Sequence, residues 1–279
     1  MFSLSLFWAR LALSLYTFGL ATALVTLAVR RETLSRLARG AVALGFLFHF
    51  VSIVEIGVLL HRFPVTQYSQ ASSLLAFIIV AFFLVVYRFY SPAALSLIVF
   101  PLVFVLTLAS IYGGQGETHL AAGGPTYLHN DWIYGHALLI FIGYAALTLA
   151  FSSEVLYLIA ERRLKHHPLR PDNGTRLPSL QTLDLIGYRS LVIGFPLLTL
   201  GILIGLYWAD TTLGQLGLDD PKVALTLLTW ALYLILLFSR WSAGWRGRKA
   251  AYVTILCFVV AAAGWLSGNQ TGLHHFLGR

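Results

Sequence analysis

The sequence predicts an all-α integral membrane protein, a bundle of eight transmembrane helices with both termini on the outer, periplasmic side. Of its 279 residues, 58% are hydrophobic and 11% are charged, whereas soluble domains carry about 25% charged residues. Eight stretches reach the roughly 20 apolar residues that a membrane-spanning helix needs. Basic residues are concentrated in alternate loops. These observations exclude a water-soluble fold and make the whole chain, 1–279, one transmembrane domain.

The predicted spans follow one another closely. They are 5–29, 40–60, 70–88, 92–111, 132–160, 183–208, 222–239 and 250–267. Span one continues to Val29 and ends in Arg30 and Arg31, so we interpret it as a helix of the mature protein and not as a cleaved signal peptide. Span six carries Pro196, which predicts a kink. Span seven begins with Asp220 as N-cap and Pro221 as its first residue.

The orientation follows from the positive charges. Of the 19 Lys and Arg residues, 14 lie in the segments 30–39, 161–182 and 240–249 or at Arg88. Because basic loops remain in the cytoplasm, these segments face inward and both termini face outward. The net charge of +8 is therefore a topology signal and does not indicate a nucleic-acid partner.

Three connecting segments stand out. Segment 112–131 is a Gly-rich outer loop that contains His119 and His129, and 161–182 is a basic cytoplasmic linker with three prolines. Segment 209–221 is a second outer loop. The chain has no convincing internal repeat, so an inverted-repeat transporter receives no support.

Histidines are the candidate ligands for a metal or cofactor, because the single Cys cannot form a CxxC site. Six of the nine lie at or beyond the predicted outer membrane edge. His136 lies one turn inside span five, with Trp132 four residues earlier on the same face. Its ring could meet a ligand lying flat in the outer leaflet, and the alternative is a histidine of the interfacial aromatic belt.

Other residues keep two interpretations. His274 and His275 follow Gly268 and Gly272, which could let the tail fold back towards His136, or the tail could be a solvated terminus. His49 and Glu55 are costly inside a membrane and are therefore secondary candidates, with an interhelical hydrogen bond as the alternative. Span six places a set of residues on one face that suits either a flat ligand or close helix packing: Gly194, Gly201, Gly205 and Trp208.

The C-terminal half resembles a known family. The matching stretches are Trp132 to Lys165, Gly194 to Gly201, Trp208-Ala209, Asp220 to Lys222, Thr229-Trp230, Tyr233, Gly244 to Arg248, Ala250 to Tyr252 and Gly272 to His274. In order and spacing they resemble the CcsA/ResC cytochrome c assembly family and its HemX-like relatives. The resemblance implies a haem-handling protein whose outer face holds the iron between His136 and His274, and we expect Trp132 and Trp208 beside that haem.

The sequence departs from the family pattern in the loop 209–221. Leu213, Gly217 and Asp219 stand where family members carry tryptophans, and Val223 replaces a glutamate. Phe238 stands where a further membrane histidine is expected. The degenerate tryptophan-rich loop is closer to the HemX-like branch.

The resulting hypothesis is a haem-binding or haem-delivery protein of the CcsA-like type in the bacterial inner (plasma) membrane. Its expected partners are haem, the lipid bilayer and other cytochrome c assembly or haem-biosynthesis proteins, with no nucleic acid. We expect no independent catalytic activity. The alternative is a HemX-like regulatory membrane protein acting on a haem-biosynthesis enzyme, and a third interpretation is a small-molecule transporter.

Overall fold

The computed structural model describes residues 2–29, 32–90, 93–113, 131–166, 178–214 and 220–267. Within these ranges the regular structure is entirely helical. The helices are α1 (Phe2–Val29), α2 (Glu32–Leu60), α3 (Tyr68–Tyr90), α4 (Ser96–Tyr112), α5 (Asp131–His166), α6 (Leu180–Leu213), α7 (Pro221–Ser242) and α8 (Arg248–Ser267). Their order matches the eight predicted apolar stretches.

Seven of these helices are long and apolar enough to cross a membrane, which confirms a multi-pass membrane protein. α4 is shorter, with 17 residues, and follows a single 3₁₀ turn at Ala93–Leu95. α2 and α5 extend into segments that we predicted to be loops, beginning at Glu32 and ending at His166. The extra turns are rich in Leu, Ala, Arg, Lys and Glu, which favour helix, and Glu161 pairs with Lys165 one turn later at 3.2 Å.

α8 runs antiparallel to α3 and α5, as contacts at both of its ends show. At one end Tyr68 of α3 contacts Trp265 of α8, with ring centroids 5.7 Å apart. At the other end Arg248 of α8 bonds Glu161 of α5 at 2.6 Å. We name the first the His136 end, because α5 begins there, and the second the Arg240 end.

A row of glycines on α6 allows α5 to approach closely. A Cβ at Gly194 would lie 2.6 Å from the Cβ of Ala146, and a Cβ at Gly201 would lie 3.0 Å from Cδ1 of Ile140. At the Arg240 end a Cβ at Gly187 would lie 2.7 Å from Oε1 of Glu154. This seam supports the close-packing interpretation of the glycine face of span six, because small residues let helix backbones meet in a membrane.

Three charged side chains join α5, α6 and α7 at the Arg240 end. Arg240 bonds Glu154 at 3.2 Å and Asp184 at 2.5 Å, and the Arg240 and Glu154 side chains are 3% and 0% exposed. The guanidinium also lies over the Tyr188 ring, 5.1 Å from its centroid. Intramembrane charges persist when they pair with one another, so this cluster fixes the mutual position of the three helices.

The start of α7 confirms the predicted cap. Oδ1 of Asp220 accepts a 2.8 Å hydrogen bond from the backbone N–H of Lys222, and Pro221 occupies the first helical turn. At the end of α6, Gly214 adopts a left-handed φ of +66°, which closes that helix.

Candidate functional site

His136 lies in the second turn of α5, half-buried against α6. Its Nδ1 is 2.7 Å from the backbone carbonyl oxygen of Gly201. A carbonyl can only accept, so Nδ1 carries the proton and donates. In the neutral imidazole the lone pair then lies on Nε2, the arrangement typical of metal-ligating histidines.

Gly205 makes room for this ring. A Cβ at Gly205 would lie 2.4 Å from Nδ1 and 2.5 Å from Cε1 of His136. Any side chain at that position would therefore displace the imidazole. The ring of His136 fills the space that a side chain would occupy, while the carbonyl one turn earlier, at Gly201, holds its orientation. An imidazole fixed in this way suits a haem ligand, because the porphyrin supplies the other four nitrogens to the iron and needs only one or two protein ligands.

The two predicted tryptophans lie near the same end of the bundle in different settings. Trp132 is 53% exposed, and its ring meets that of Tyr207 edge-on at 5.7 Å. Trp208 is 5% exposed, and within the described ranges its Nε1 has no hydrogen-bond partner. Trp208 follows Gly201 by two helical turns on the same face of α6. A buried indole N–H ordinarily has an acceptor, so Trp208 is a candidate donor to a bound molecule.

The second predicted axial ligand lies outside the described residues. Both His274 and His275 fall in 268–279, and His119 and His129 fall in 114–130, so their positions are not described. The pairing of His136 with His274 thus stays a prediction.

His49 lies elsewhere, in the membrane interior between three helices. It is fully buried, and both ring nitrogens are engaged: Nε2 with Ser73 Oγ at 2.8 Å and Nδ1 with the Tyr16 hydroxyl at 3.3 Å. These bonds connect α2 with α1 and α3. The arrangement supports the interhelical hydrogen-bond interpretation of this residue.

Glu55 is separate from both histidine sites. It lines a groove of about 330 Å³ together with apolar residues of α1 and α2, among them Leu4 and Trp8. Its Oε2 is buried and has no hydrogen-bond partner within the described ranges. The groove does not include His49 or His136, so the structure does not bring Glu55 to the candidate haem ligand.

Two features at this end of the bundle were not predicted from the sequence. The carbonyl of Gly201 is a backbone group, and no side-chain pattern marks it as the acceptor for His136. Arg62 is 8% exposed, although its position outside the basic cytoplasmic segments gives no reason to expect a buried cation. The signal in the sequence that could have marked Arg62 as a candidate is its position directly after a span and next to a histidine.

Comparison with known proteins places most of the chain in one group. A family model described as "Cytochrome C assembly protein" matches residues 65–274. Curated relatives named cytochrome c biogenesis protein CcsA include that of Chlamydomonas reinhardtii, 34% identical over 151 residues, or 53% of this chain and 41% of the relative. The Guillardia theta relative is 32% identical over 165 residues, or 53% of this chain and 55% of the relative.

A third relative with the same description extends over more of both chains. The protein of Mesostigma viride is 26% identical over 238 residues, which is 77% of this chain and 78% of the relative. The first two alignments, in contrast, span about half the length of the relatives they match.

Proposed function

Because the chain belongs to the cytochrome c assembly protein family, we propose that it is a membrane protein that binds haem and delivers it for cytochrome c assembly. The observation that carries the proposal is the orientation of His136 by the Gly201 carbonyl in the space left by Gly205. When bound, haem supplies an iron that takes axial nitrogen ligands.

Each residue of the site has a defined part in this proposal. His136 would hold the iron through Nε2, while its Nδ1–H stays bonded to the Gly201 carbonyl of α6. Trp208 offers its buried indole N–H to a polar group of the ligand, and Trp132 offers an aromatic face at the edge of the bundle. His274 would supply a second imidazole, and His275 is the neighbouring secondary candidate.

The proposal includes an eight-span topology in the bacterial inner membrane, with both termini and the His136 end outside. α4 and the turn before it form a continuous stretch from Ala93 to Tyr112. These 20 residues correspond to about 30 Å of helix, the thickness of a hydrocarbon core. The segment 112–131 then lies on the outer side, as does 209–221, of which 209–213 is the end of α6 and not loop. The segment 161–182 lies on the cytoplasmic side, and its two ends belong to α5 and α6.

We further propose that delivery requires partner proteins of cytochrome c assembly or haem biosynthesis and that this chain has no independent catalytic activity. The HemX-like alternative, regulation of a haem-biosynthesis enzyme, is not favoured, because the relatives described above are all named as cytochrome c biogenesis proteins.

Absorbance spectra of the purified full-length protein with added haem test the proposal. The wild type should show a six-coordinate low-spin spectrum. His136→Ala and His274→Ala should each give a five-coordinate spectrum with weaker binding, and the double variant should release the haem. His275→Ala is the matched control and should keep the wild-type spectrum. A wild-type spectrum in the double variant would refute the assignment and direct attention to His49.

A further inference from the structure

Arg62 is a buried cation at the His136 end whose charge nothing in the described structure neutralises. Its residue surface is 8% exposed, and its Nη1 has no hydrogen-bond partner within the described ranges. Seven residues earlier, Glu55 has a buried oxygen that is also unpartnered there, so the two are not paired with each other. Burying a guanidinium without an acceptor is costly, which indicates that its position serves a bound group.

The backbone directs Arg62 into the protein by an unusual turn. The N–H of His61 bonds the carbonyl of Val58, and the N–H of Arg62 bonds that of Gly57. This is the pattern of a Schellman motif at the end of α2, with His61 in the left-handed position at φ +50°. That position normally carries Gly, and the next residue normally makes an apolar contact with the helix. Here the next residue is an arginine.

The turn after α2 lies beside the start of α5. The ring of Phe63, next to Arg62, lies 6.0 Å from that of Tyr134, two residues before His136. At the end of the same loop, Tyr68 contacts the ring of Trp265, with centroids 5.7 Å apart. Arg62 therefore lies in the loop that connects the neighbourhood of His136 with the last turn of α8.

A second buried donor lies at that last turn. Trp265 is 8% exposed, and its Nε1 has no partner within the described ranges. The ammonium of Lys222 lies 6.0 Å from the centroid of the Trp265 ring. Arg62 thus lies within this loop, and the Trp265 indole N–H and the Lys222 ammonium lie beside its other end. Donors and positive charge at one end of a membrane bundle suit a carboxylate, which a guanidinium can bind with two parallel hydrogen bonds.

We propose that Arg62 anchors a carboxylate of the porphyrin ligand, with the Trp265 indole N–H as a supporting donor. This inference rests on the proposed function, because it concerns the same ligand: His136 would hold the iron of that ligand, and Arg62 would bind its carboxylate. Arg62 would then be a binding residue, and the anchor would fix the direction in which the flat ligand enters between the helices.

Metal-free protoporphyrin IX and its dimethyl ester provide the test, because neither contains iron and only the first carries carboxylates. Porphyrin fluorescence gives the affinity of the full-length protein in detergent for each compound. The compared quantity is the ratio of the affinity for the acid to the affinity for the ester. Partition of each porphyrin into micelles is the same for every variant, so it cancels when the ratios of two variants are compared. Arg62→Gln should lower this ratio about ten- to a hundredfold, as for loss of a charge-assisted hydrogen bond. Trp265→Phe should lower it by less.

Two controls separate this proposal from the function on which it rests. Arg246→Gln, at an exposed arginine near the Arg240 end, should leave the ratio unchanged. His136→Ala should alter the Soret spectrum with haem while keeping the porphyrin ratio of wild type. An unchanged haem spectrum in His136→Ala would refute iron ligation by that residue and leave the anchor standing.

Three results would overturn the anchor. The first is an unchanged ratio in a folded Arg62→Gln variant, and the second is equal binding of acid and ester by wild type. The third is the absence of binding of either porphyrin; the proposed function, which depends on the iron, is tested separately by the haem spectrum. If Arg62→Gln loses its folded elution profile, Arg62→Met replaces it, because its apolar side chain fits the buried position without a charge. We expect Arg62→Met to lower the ratio of acid to ester affinity by the same factor.

Discussion

Replacement of Gly205 by alanine should displace the His136 ring and destabilise the protein. The new Cβ would lie 2.4 Å from Nδ1, whereas ordinary contacts begin at 3.4 Å. The ring must therefore retreat by about 1 Å, enough to break its 2.7 Å bond to Gly201 in most directions. Overpacking costs about 1–3 kcal/mol and the lost hydrogen bond about 1 kcal/mol.

Gly135→Ala is the matched control, since a Cβ at Gly135 has no neighbour within 4 Å. Both substitutions gain about 1 kcal/mol of helix propensity, so the difference between them isolates the clash at about 2–4 kcal/mol. Thermal unfolding in detergent gives the relative stabilities. Nitrogen NMR of labelled histidine gives the position of the imidazole proton, which should leave Nδ1 in part of the Gly205→Ala population.

The reasoning would be refuted if Gly205→Ala were as stable as Gly135→Ala. It would also be refuted if the His136 proton stayed on Nδ1 with an unchanged chemical shift. Either result would mean that the α5–α6 seam opens by enough to accept a methyl group without moving the ring.

Three further predictions concern the rest of the bundle. Arg240→Met should cost about 3–5 kcal/mol, because it leaves the buried Glu154 and the partly buried Asp184 without a cation. Arg248→Met, at an exposed arginine, should leave the melting temperature nearly unchanged. Asp220→Ala should cost about 0.5–2 kcal/mol by removing the cap of α7, and Asp220→Asn should retain most of that stability. Reporter fusions should read cytoplasmic at Gly174 and external at Gly123.

Each of these has a contrary outcome. Equal melting temperatures for the two arginine variants would contradict a stabilising role for the buried cluster. If Asp220→Ala kept full stability but lost haem binding, the cap would belong to the ligand site. An external reading at Gly174 would invert the topology.

The elements of this fold were predictable from the sequence because a membrane imposes a minimum length of apolar helix, which single segments reveal. The cap at Asp220 was predictable for the same reason: it depends on residues that are neighbours in the chain. The sequence predicts that the glycines of α6 share one face of the helix, but it does not show which helix packs against that face. Which carbonyl meets His136 depends on the axial register of α5 against α6, and no local pattern encodes that register.

Long-range polar contacts were missed for a related reason. Glu154 and Arg240 are 86 residues apart, and neither is part of a recognisable local motif. The burial of Arg62 depends on a left-handed His61, a conformation that sequence reasoning assigns to Gly. In both cases tertiary structure overrides the expectation that a charged residue near the end of a span faces water.

The order of the charges at the Arg240 end has a consequence for biogenesis. Glu154 and Asp184 precede Arg240 by 86 and 56 positions, so a ribosome delivers both carboxylates to the bilayer before it has made the guanidinium. An unpaired carboxylate is unfavourable in hydrocarbon, so we expect the contact between α5 and α6 at that end to be less stable during this interval. The insertion of α7 is the step that completes the α5–α6 hairpin. Nascent chains arrested before α7 should consequently be recognised as unassembled by membrane chaperones and proteases.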